Sequence, residues 1–495
     1  MTRPVQHWDL RLALEPAAEG HAQARFVRIA RAIASDIRRG RLRPGGRLPG
    51  TRVLARDLGV HRNTVIAAFR ELLAEGYLEA RVGHGTFVAR ALPEAPPRRF
   101  AREPAAARPK RAGFALPSHA TPQAMFAPLP KATLAMYGGL PDLRLLPDAA
   151  FARAYRRVLR RKGVLGYGDP SGHERLRAAL ANMLRADRGL ALDADDIVVT
   201  RGSQMALALG ARTLVRPGDA IAVEAYGYRP AWVALRAAGA RLLPVAVDRD
   251  GLRVDALAEL CRRERVRGVY LTPHHQYPTT ATLPSPRRLA LLQLAASEQM
   301  VVFEDDYDHE FHYEGRPLLP LASADVAGSV VYVGTLSKVL APALRIGYLV
   351  APRAVRERIV AERFYLDRMG DQVTECAVAE LLEEGELQRH VRRARRLYQR
   401  RRDCLVDAFG RTFGDRLRFR IPSGGMALWL RVDKRISPAA WLEQARARGV
   451  LFQIGAEFHM SDRAIPFARM GFAALDEAEL VDAVRRLERA FRACL

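Results

Sequence analysis

The chain has 495 residues, too many for one ordinary hydrophobic core, so two or three domains are expected. Its 79 basic and 54 acidic side chains leave a formal net charge of +25, which favours a polyanionic partner, nucleic acid before a membrane surface. Four scattered cysteines show neither disulfide nor metal-ligand spacing, no apolar run reaches the roughly 18 residues that span a bilayer, and no apolar stretch follows the first basic residues. A disulfide scaffold and a membrane-embedded protein are thereby set aside; the expectation is a reducing, cytoplasmic setting with no metal and no membrane contact.

In chain order, the first zone spans residues 21–90. The charge is concentrated here: residues 1–115 hold 22 basic and 10 acidic side chains, a net of +12, against +13 for the other 380. Phe26, Ala30, Ile33 and Ile37 recur at helical spacing, and RRGRLRPGGRLP then breaks the helix. TRVLARDLGV reads as a short helix ending at Gly59, and HRNTVIAAFRELLAEGYL as a second, with Val65, Phe69, Leu72 and Leu73 on one face. Two short helices about a tight turn form a helix-turn-helix. The second opens with His61, Arg62, Asn63 and Thr64, four hydrogen-bonding side chains at the end that enters the major groove in such modules. YLEARVGHGTFV follows as a hairpin turning at Gly83 and Gly85, which puts Arg81 or His84 near the DNA backbone or minor groove.

Residues 91–125, rich in Pro, Ala and Arg with few large apolar groups, read as a linker. Residues 126–495 alternate strand-like and helical runs, the pattern of a mostly parallel α/β sheet. Four pieces of this zone together meet the needs of pyridoxal 5′-phosphate: a lysine for a Schiff base, a carboxylate facing the ring nitrogen, phosphate donors and an aromatic face. Lys338 follows a buried strand in SVVYVGTLSKVLAPALRIGYLV, with Thr335, Ser337 and Arg345 as phosphate partners, Arg345 lying between apolar neighbours. Asp305 in MVVFEDDYD is placed against the ring nitrogen and Tyr307 near the ring hydroxyl. DIVVTRGSQMALALGARTLV is strand, turn and helix, with Ser203 and Gln204 presenting backbone amides to phosphate. In AIAVEAYGYRPA, Tyr228 is assigned to stack on the ring, with Tyr226 close behind.

These strings resemble two families joined in one chain. Residues from LPGTRVLARDLGV to GHGTFV resemble the GntR-type winged helix, which implies double-stranded DNA as partner, Arg52, Arg62 and Thr64 as contacts, and His84 with Gly85 at the wing tip. The remainder resembles fold-type I aminotransferases of class I/II: a mostly parallel sheet with a small α/β subdomain. Together, through GYGDPSGHERLR, VEAYGYRPA, TPHHQYPTT, EDDYDHEF and RMGF, they resemble the MocR subfamily of GntR regulators. The resemblance implies a homodimer in which Tyr167 reaches the partner's phosphate site, and places Arg469 on the carboxylate of an amino-acid effector. Tyr277, before Pro278-Thr279-Thr280, stands where aminotransferases have Asn; its hydrogen bond to the ring hydroxyl is missing or taken over by His275 or Gln276. His274 stands where Ser is common. The expected function is transcription regulation by a domain that senses a small amine, an amino acid or pyridoxal phosphate itself. A working aminotransferase is the alternative, and a degenerate, purely structural pocket a third reading. The basic run 390–405, with an apolar stripe of Val391, Ala394, Leu397 and Leu405, is read as a solvated helix face ahead of a second DNA contact.

Overall fold

The computed structural model describes residues 24–93, 112–115, 130 and 132–495; most of the linker expected over 91–125 lies outside them. The chain divides into two compact units, Met1–Gln123 and Ala124–Leu495.

In the first unit, α1 (Arg25–Arg38) buries Ile29, Ala30, Ile33, Ala34 and Ile37, residues at three- and four-residue spacing that line one face. Gly40 then takes a φ of 72° and the chain leaves the helix. α2 (Thr51–Asp57) and α3 (Arg62–Ala74) meet across Gly59, whose φ of 61° makes the turn between them possible. α3 buries Val65, Ala68, Phe69 and Leu72. Leu73 is half-buried, so the inward face is one position different from the expected one: Ala68 completes the stripe. The strands β1 (Leu78–Arg81) and β2 (Gly85–Val88) pair antiparallel from Leu78↔Val88 to Arg81↔Gly85, with Gly83 and Gly85 at positive φ in the turn. Ile33, Val65 and Leu72 are fully enclosed, and trimming any one to Ala costs about 2–5 kcal/mol.

The second unit is built on a seven-stranded sheet in the order Ile197–Thr200, Gly347–Val350, Val330–Thr335, Val301–Asp306, Val266–Leu271, Ala220–Glu224, Arg241–Val245. All its pairings are parallel except those of Gly347–Val350, which runs against both neighbours. Ile197–Thr200, Ala220–Glu224 and Val330–Thr335 are buried throughout and read as near-continuous apolar runs, because both faces are covered. Ile197, Val199, Ala222, Val302 and Tyr332 pack into one apolar layer, whereas Val198, Ile221, Val223, Phe303 and Val333 pack into another. A smaller antiparallel sheet, Leu417–Phe419, Ala427–Val432, Phe467–Gly471 and Gln453–Ile454, has its own core around Trp441, Leu430 and Phe491. This is the expected mostly parallel sheet with a small subdomain.

The basic run lies within the 28-residue helix Glu386–Phe413, and the inward stripe is Ala394, Tyr398 and Leu405, with Val391 and Leu397 only half-buried. Two of its arginines are interior. Arg401 donates to Asp142 at 2.9 Å, and Arg402 to the Pro422 carbonyl and to Glu314, both at 2.7 Å. In sequence these two look like every other arginine of the run. Pairing with Asp142 and Glu314 is what allows these two to turn inward, since a buried charge needs a partner.

Candidate functional site

On the first unit the candidate DNA-binding residues gather at one end of α3. His61 caps the helix, its Nδ1 accepting from the Asn63 N–H at 3.2 Å, which meets one of the donors left free in the first turn. Arg62 Nε donates to Thr51 Oγ1 at 3.3 Å and so leans across to the start of α2, where Arg52 is exposed. His61, Arg62 and Asn63 are exposed and Thr64 is half-buried. His84 sits exposed in the β1–β2 turn, its N–H bonded to the Arg81 carbonyl at 2.9 Å. Arg81 lies over the Phe87 ring, 4.8 Å from its centroid, which holds that cation on the hairpin. The result is a polar, cationic end of α3 with no apolar side chain at its first three positions, and a cationic hairpin in the same unit.

On the second unit, a pocket of about 410 Å³ opens at the carboxyl ends of the parallel strands, where ligands bind in sheets of this kind. Lys338, Asp305, Tyr307, Tyr228, Ser203, Gln204, Thr335, Ser337 and Arg345 all line it. These residues come from five strand ends far apart in sequence, and the fold alone brings them together.

Asp305 is 4 % exposed; its Oδ2 accepts from the Tyr270 hydroxyl at 2.8 Å, and its Oδ1 has no partner. A buried carboxylate oxygen left open toward a pocket suits a cationic N–H donor. Burial pushes the Asp305 carboxyl up to about 7, against the pull of the Tyr270 hydrogen bond and the Lys338 charge. Burial and the nearby Arg469 guanidinium draw Lys338 down to about 8. A lysine so placed keeps a usable fraction of free amine near neutral pH.

At the other end of the pocket, the helix Ser203–Leu214 points its N-terminus inward behind Gly202, whose φ is 77°. The strand at Gly347 passes so close to Gly202 that a Cβ on residue 347 would collide with that backbone. The N–H groups of this first turn and the helix dipole suit a phosphate dianion. Gln204 presents its backbone N–H at this helix end, while its side-chain amide donates to the Pro230 carbonyl at 2.9 Å. Thr335 donates its proton to the Ile346 carbonyl at 3.2 Å and accepts from the Ser337 N–H at 3.1 Å. It therefore shapes the turn, and has no proton left for an anion. Arg345, which stands between apolar neighbours in sequence, is exposed at the rim. Its Nη2 donates to the Arg201 carbonyl at 2.8 Å, and it lies directly over Gly202.

The aromatic side is richer than sequence predicts. Tyr228 and Tyr277 meet edge to face at 5.6 Å, and Tyr277 meets Tyr307 at 6.0 Å. Tyr226 faces away, against His459 at 5.2 Å, which leaves Tyr228 as the stacking candidate. The Tyr307 hydroxyl donates to the His275 carbonyl at 3.0 Å, so only its acceptor lone pairs are open to a ligand. Neither His275 nor Gln276 takes over the missing Asn. His275 Nδ1 is 2.8 Å from Asp308, while the Gln276 amide donates to the Tyr226 and Tyr277 carbonyls. Tyr277 itself lines the pocket in that place.

Arg469, on the strand Phe467–Gly471, is 1 % exposed, with Nε and Nη1 unpartnered. Its guanidinium lies over Tyr277, 4.4 Å from the ring centroid, and occupies the space where residue 138 would carry a Cβ if it were not glycine. A buried guanidinium with open donors suits a carboxylate. Tyr167 lies outside this pocket, 84 % exposed, with Arg368 over its ring at 5.1 Å. Sequence reading missed Tyr270, Thr272 and the Tyr137-Gly138-Gly139 turn. The paired glycines were the available signal, since bare backbone marks close approach. The open Asp305 oxygen, the low lysine and the helix N-terminus fit pyridoxal 5′-phosphate.

This sheet and pocket define the class: the profile of class I and II aminotransferases matches residues 139–487, and that of the gntR family of bacterial regulatory proteins matches residues 26–88. The α-aminoadipate aminotransferase LysN of Thermus thermophilus, solved with N-(5′-phosphopyridoxyl)-L-leucine, superposes with a TM-score of 0.69 at 33 % identity, over 74 % of this chain and 93 % of that one. The probable rhizopine catabolism regulatory protein MocR of Rhizobium meliloti is 34 % identical over 93 % of this chain and 92 % of its own. The pyridoxine biosynthesis transcriptional regulator PdxR of Corynebacterium glutamicum is 32 % identical over 86 % of each. The chain belongs to the MocR-type GntR family, regulators with a GntR helix-turn-helix joined to a class I/II aminotransferase domain.

Proposed function

We propose that this protein is a cytoplasmic, homodimeric transcription regulator that binds double-stranded DNA through the α3 end and the hairpin. Its aminotransferase-like domain binds pyridoxal 5′-phosphate and senses a small amine, an amino acid or the cofactor itself. The observation that carries the reading is one chain holding both an exposed polar helix end and a pocket lined by Lys338 and the open Asp305, with the buried Arg469 guanidinium packed on its wall residue Tyr277. No helix among the described residues is long and apolar enough to cross a membrane.

Bound in this pocket, the cofactor supplies an aldehyde that exchanges amines and a ring that withdraws electrons when its nitrogen is protonated. Lys338 offers Nζ as the resident amine. Asp305 Oδ1 accepts from the ring N–H and holds that proton in place, with Tyr270 fixing the carboxylate's orientation. The first turn of Ser203–Leu214, Ser337 and Arg345 anchor the phosphate; Tyr228 covers the ring; Arg469 takes the effector's carboxylate. Tyr167 is assigned to the partner's site, which explains its exposure within one chain. An incoming amine would compete with Lys338 Nζ for the cofactor, and a ligand held more tightly by one arrangement of the pocket than by another would shift the protein toward that arrangement.

The alternative, a working aminotransferase, is less favoured. Tyr277 replaces the Asn of that chemistry, and nothing in metabolic transamination calls for the DNA-binding unit. The test is an absorbance spectrum of purified protein and of Lys338→Ala, followed by amine and keto-acid addition. A visible band that depends on Lys338, shifts with particular amines and shows no multiple turnover supports the sensor; sustained keto-acid conversion overturns it.

A further inference from the structure

Next to the cofactor pocket, four imidazoles crowd two neighbouring loops. His274 and His275 follow the strand Val266–Leu271, and His309 and His312 follow Val301–Asp306. The His274 ring is 4.5 Å from that of His275, 4.3 Å from His309 and 6.0 Å from His312. His274 is 3 % exposed, and neither of its ring nitrogens has a hydrogen-bond partner; His275 Nε2 is also buried without one, and His312 has the Glu314 backbone beside it. Each such nitrogen gives up its hydration with nothing in return unless something answers it. Nothing in pyridoxal chemistry requires these side chains.

We propose that His274, His275 and His312 form a binding site for a divalent transition-metal ion, best suited to Zn²⁺. One ligand atom from each lies within 4.8 Å of the other two. Zn–N bonds of about 2.0–2.1 Å put tetrahedral ligand atoms roughly 3.4 Å apart, so side-chain rotation closes the set from the 4.8 Å within which these atoms lie. Three neutral imidazoles and a water suit zinc, by ligand type and by the open fourth position. His275 is already oriented for this: Asp308 Oδ1 holds its Nδ1 at 2.8 Å, leaving Nε2 as the ligand atom, the carboxylate–histidine–metal arrangement. Residue 424 is glycine, and a Cβ there would collide with that same Nε2. His312 is half-buried, and with His309 it lines a cleft of about 360 Å³, which gives an ion its path from solvent.

A second set, His274, Asp306 and His309, also lies within 4.8 Å. It is the weaker candidate. Asp306 Oδ2 already accepts from the Tyr332 hydroxyl at 2.7 Å and lies 3.9 Å from the Arg188 guanidinium, a fixed positive charge. An ion on the three histidines would instead tie the loop carrying Tyr277 to the loop that follows Tyr307, bracing one wall of the pocket. The inference stands whichever ligand that pocket senses.

The experiment uses untagged, full-length protein with its cofactor, treated with chelator and then titrated with Zn²⁺ by calorimetry and with Co²⁺ by visible absorption. The expected result is a single tight ion per chain, a Co²⁺ spectrum of four-coordinate type and a raised unfolding temperature. His274→Gln and His312→Gln each lose the Co²⁺ band and weaken Zn²⁺ binding by about tenfold or more, whereas His309→Gln keeps both. His312 sits at the cleft edge, so His312→Gln keeps its fold, checked by circular dichroism and the cofactor's own band. The proposal is overturned by no stoichiometric uptake, by uptake that survives His312→Gln, or by uptake lost only in His309→Gln, which would place the ion on the carboxylate set.

Discussion

Replacing Asp305 by Asn should stabilise the cofactor-free protein and weaken its hold on the cofactor, opposite effects from one substitution. Asn keeps the shape and the acceptor for Tyr270, and removes only the charge. Burial raises the Asp305 carboxyl from the model-compound value of 3.8 to about 7. The sign follows from proton counting. Between those two values the native state holds a proton that the unfolded chain has released, so native stability falls as pH rises through that window. At about 1.36 kcal/mol per unit, ionised Asp305 costs the cofactor-free protein about 4 kcal/mol at pH 8, shrinking to nearly nothing by about pH 3. Urea unfolding of cofactor-free wild type and Asp305→Asn at several pH values measures this. The variant should be the more stable at pH 8, and its advantage should shrink steadily below pH 7. With cofactor added the order should reverse, because the ring N–H then pairs with the carboxylate. An advantage that is absent, or equal at acid and alkaline pH, would refute the burial argument.

Four other outcomes follow from the same geometry. Lys338→Ala should lose the cofactor's visible band and still bind DNA, but with an affinity that no longer responds to amines, read by absorbance and by anisotropy with a labelled duplex. Arg62→Ala should weaken DNA binding by about 1–3 kcal/mol and lower the slope of log affinity against log salt by about 1 if it meets a phosphate, measured over a salt series. Arg469→Met should reduce the preference for amino acids over amines lacking a carboxylate by roughly 10–100-fold, seen in spectral titrations with matched pairs, because charge-assisted hydrogen bonds are worth about 1.5–3 kcal/mol. Asp142→Ala should destabilise the second unit by about 3–5 kcal/mol in urea unfolding, because Arg401 would be left buried without its carboxylate.

Much of this was legible in the sequence because local chemistry declares itself locally. Gly59 and Gly83 punctuate the helix-turn-helix and its hairpin, and the apolar runs before Asp305 and Lys338 mark strands covered on both faces. Ser203, Tyr228, Asp305 and Lys338 could be placed in one pocket because each stands at or just beyond a strand's carboxyl end. What sequence could not give was direction. Thr335 and Ser337 look alike in GTLS, yet only the fold shows that the Thr335 proton goes to Ile346. Arg345 stands between apolar neighbours in sequence, which says nothing of where its side chain goes; the backbone at this residue is left-handed, φ 52°, and the side chain is at the rim. Arg401 and Arg402 are indistinguishable from the other arginines of their helix until Asp142 and Glu314, distant in sequence, are seen beside them. The histidine cluster was hidden for the same reason: HH and HEFH are unremarkable apart, and only adjacent parallel strands bring the two loops together.

The central claim is that the pocket governs the DNA-binding unit, and the most direct test measures both at once. DNA duplexes are first selected by the protein from a random pool; affinity and footprint are then recorded while the cofactor's absorbance is followed under amine titration. The account predicts that amines which shift the absorbance band also change affinity or footprint, over the same concentrations, and do neither in Lys338→Ala. Sustained keto-acid turnover with a footprint indifferent to amine and cofactor would contradict it.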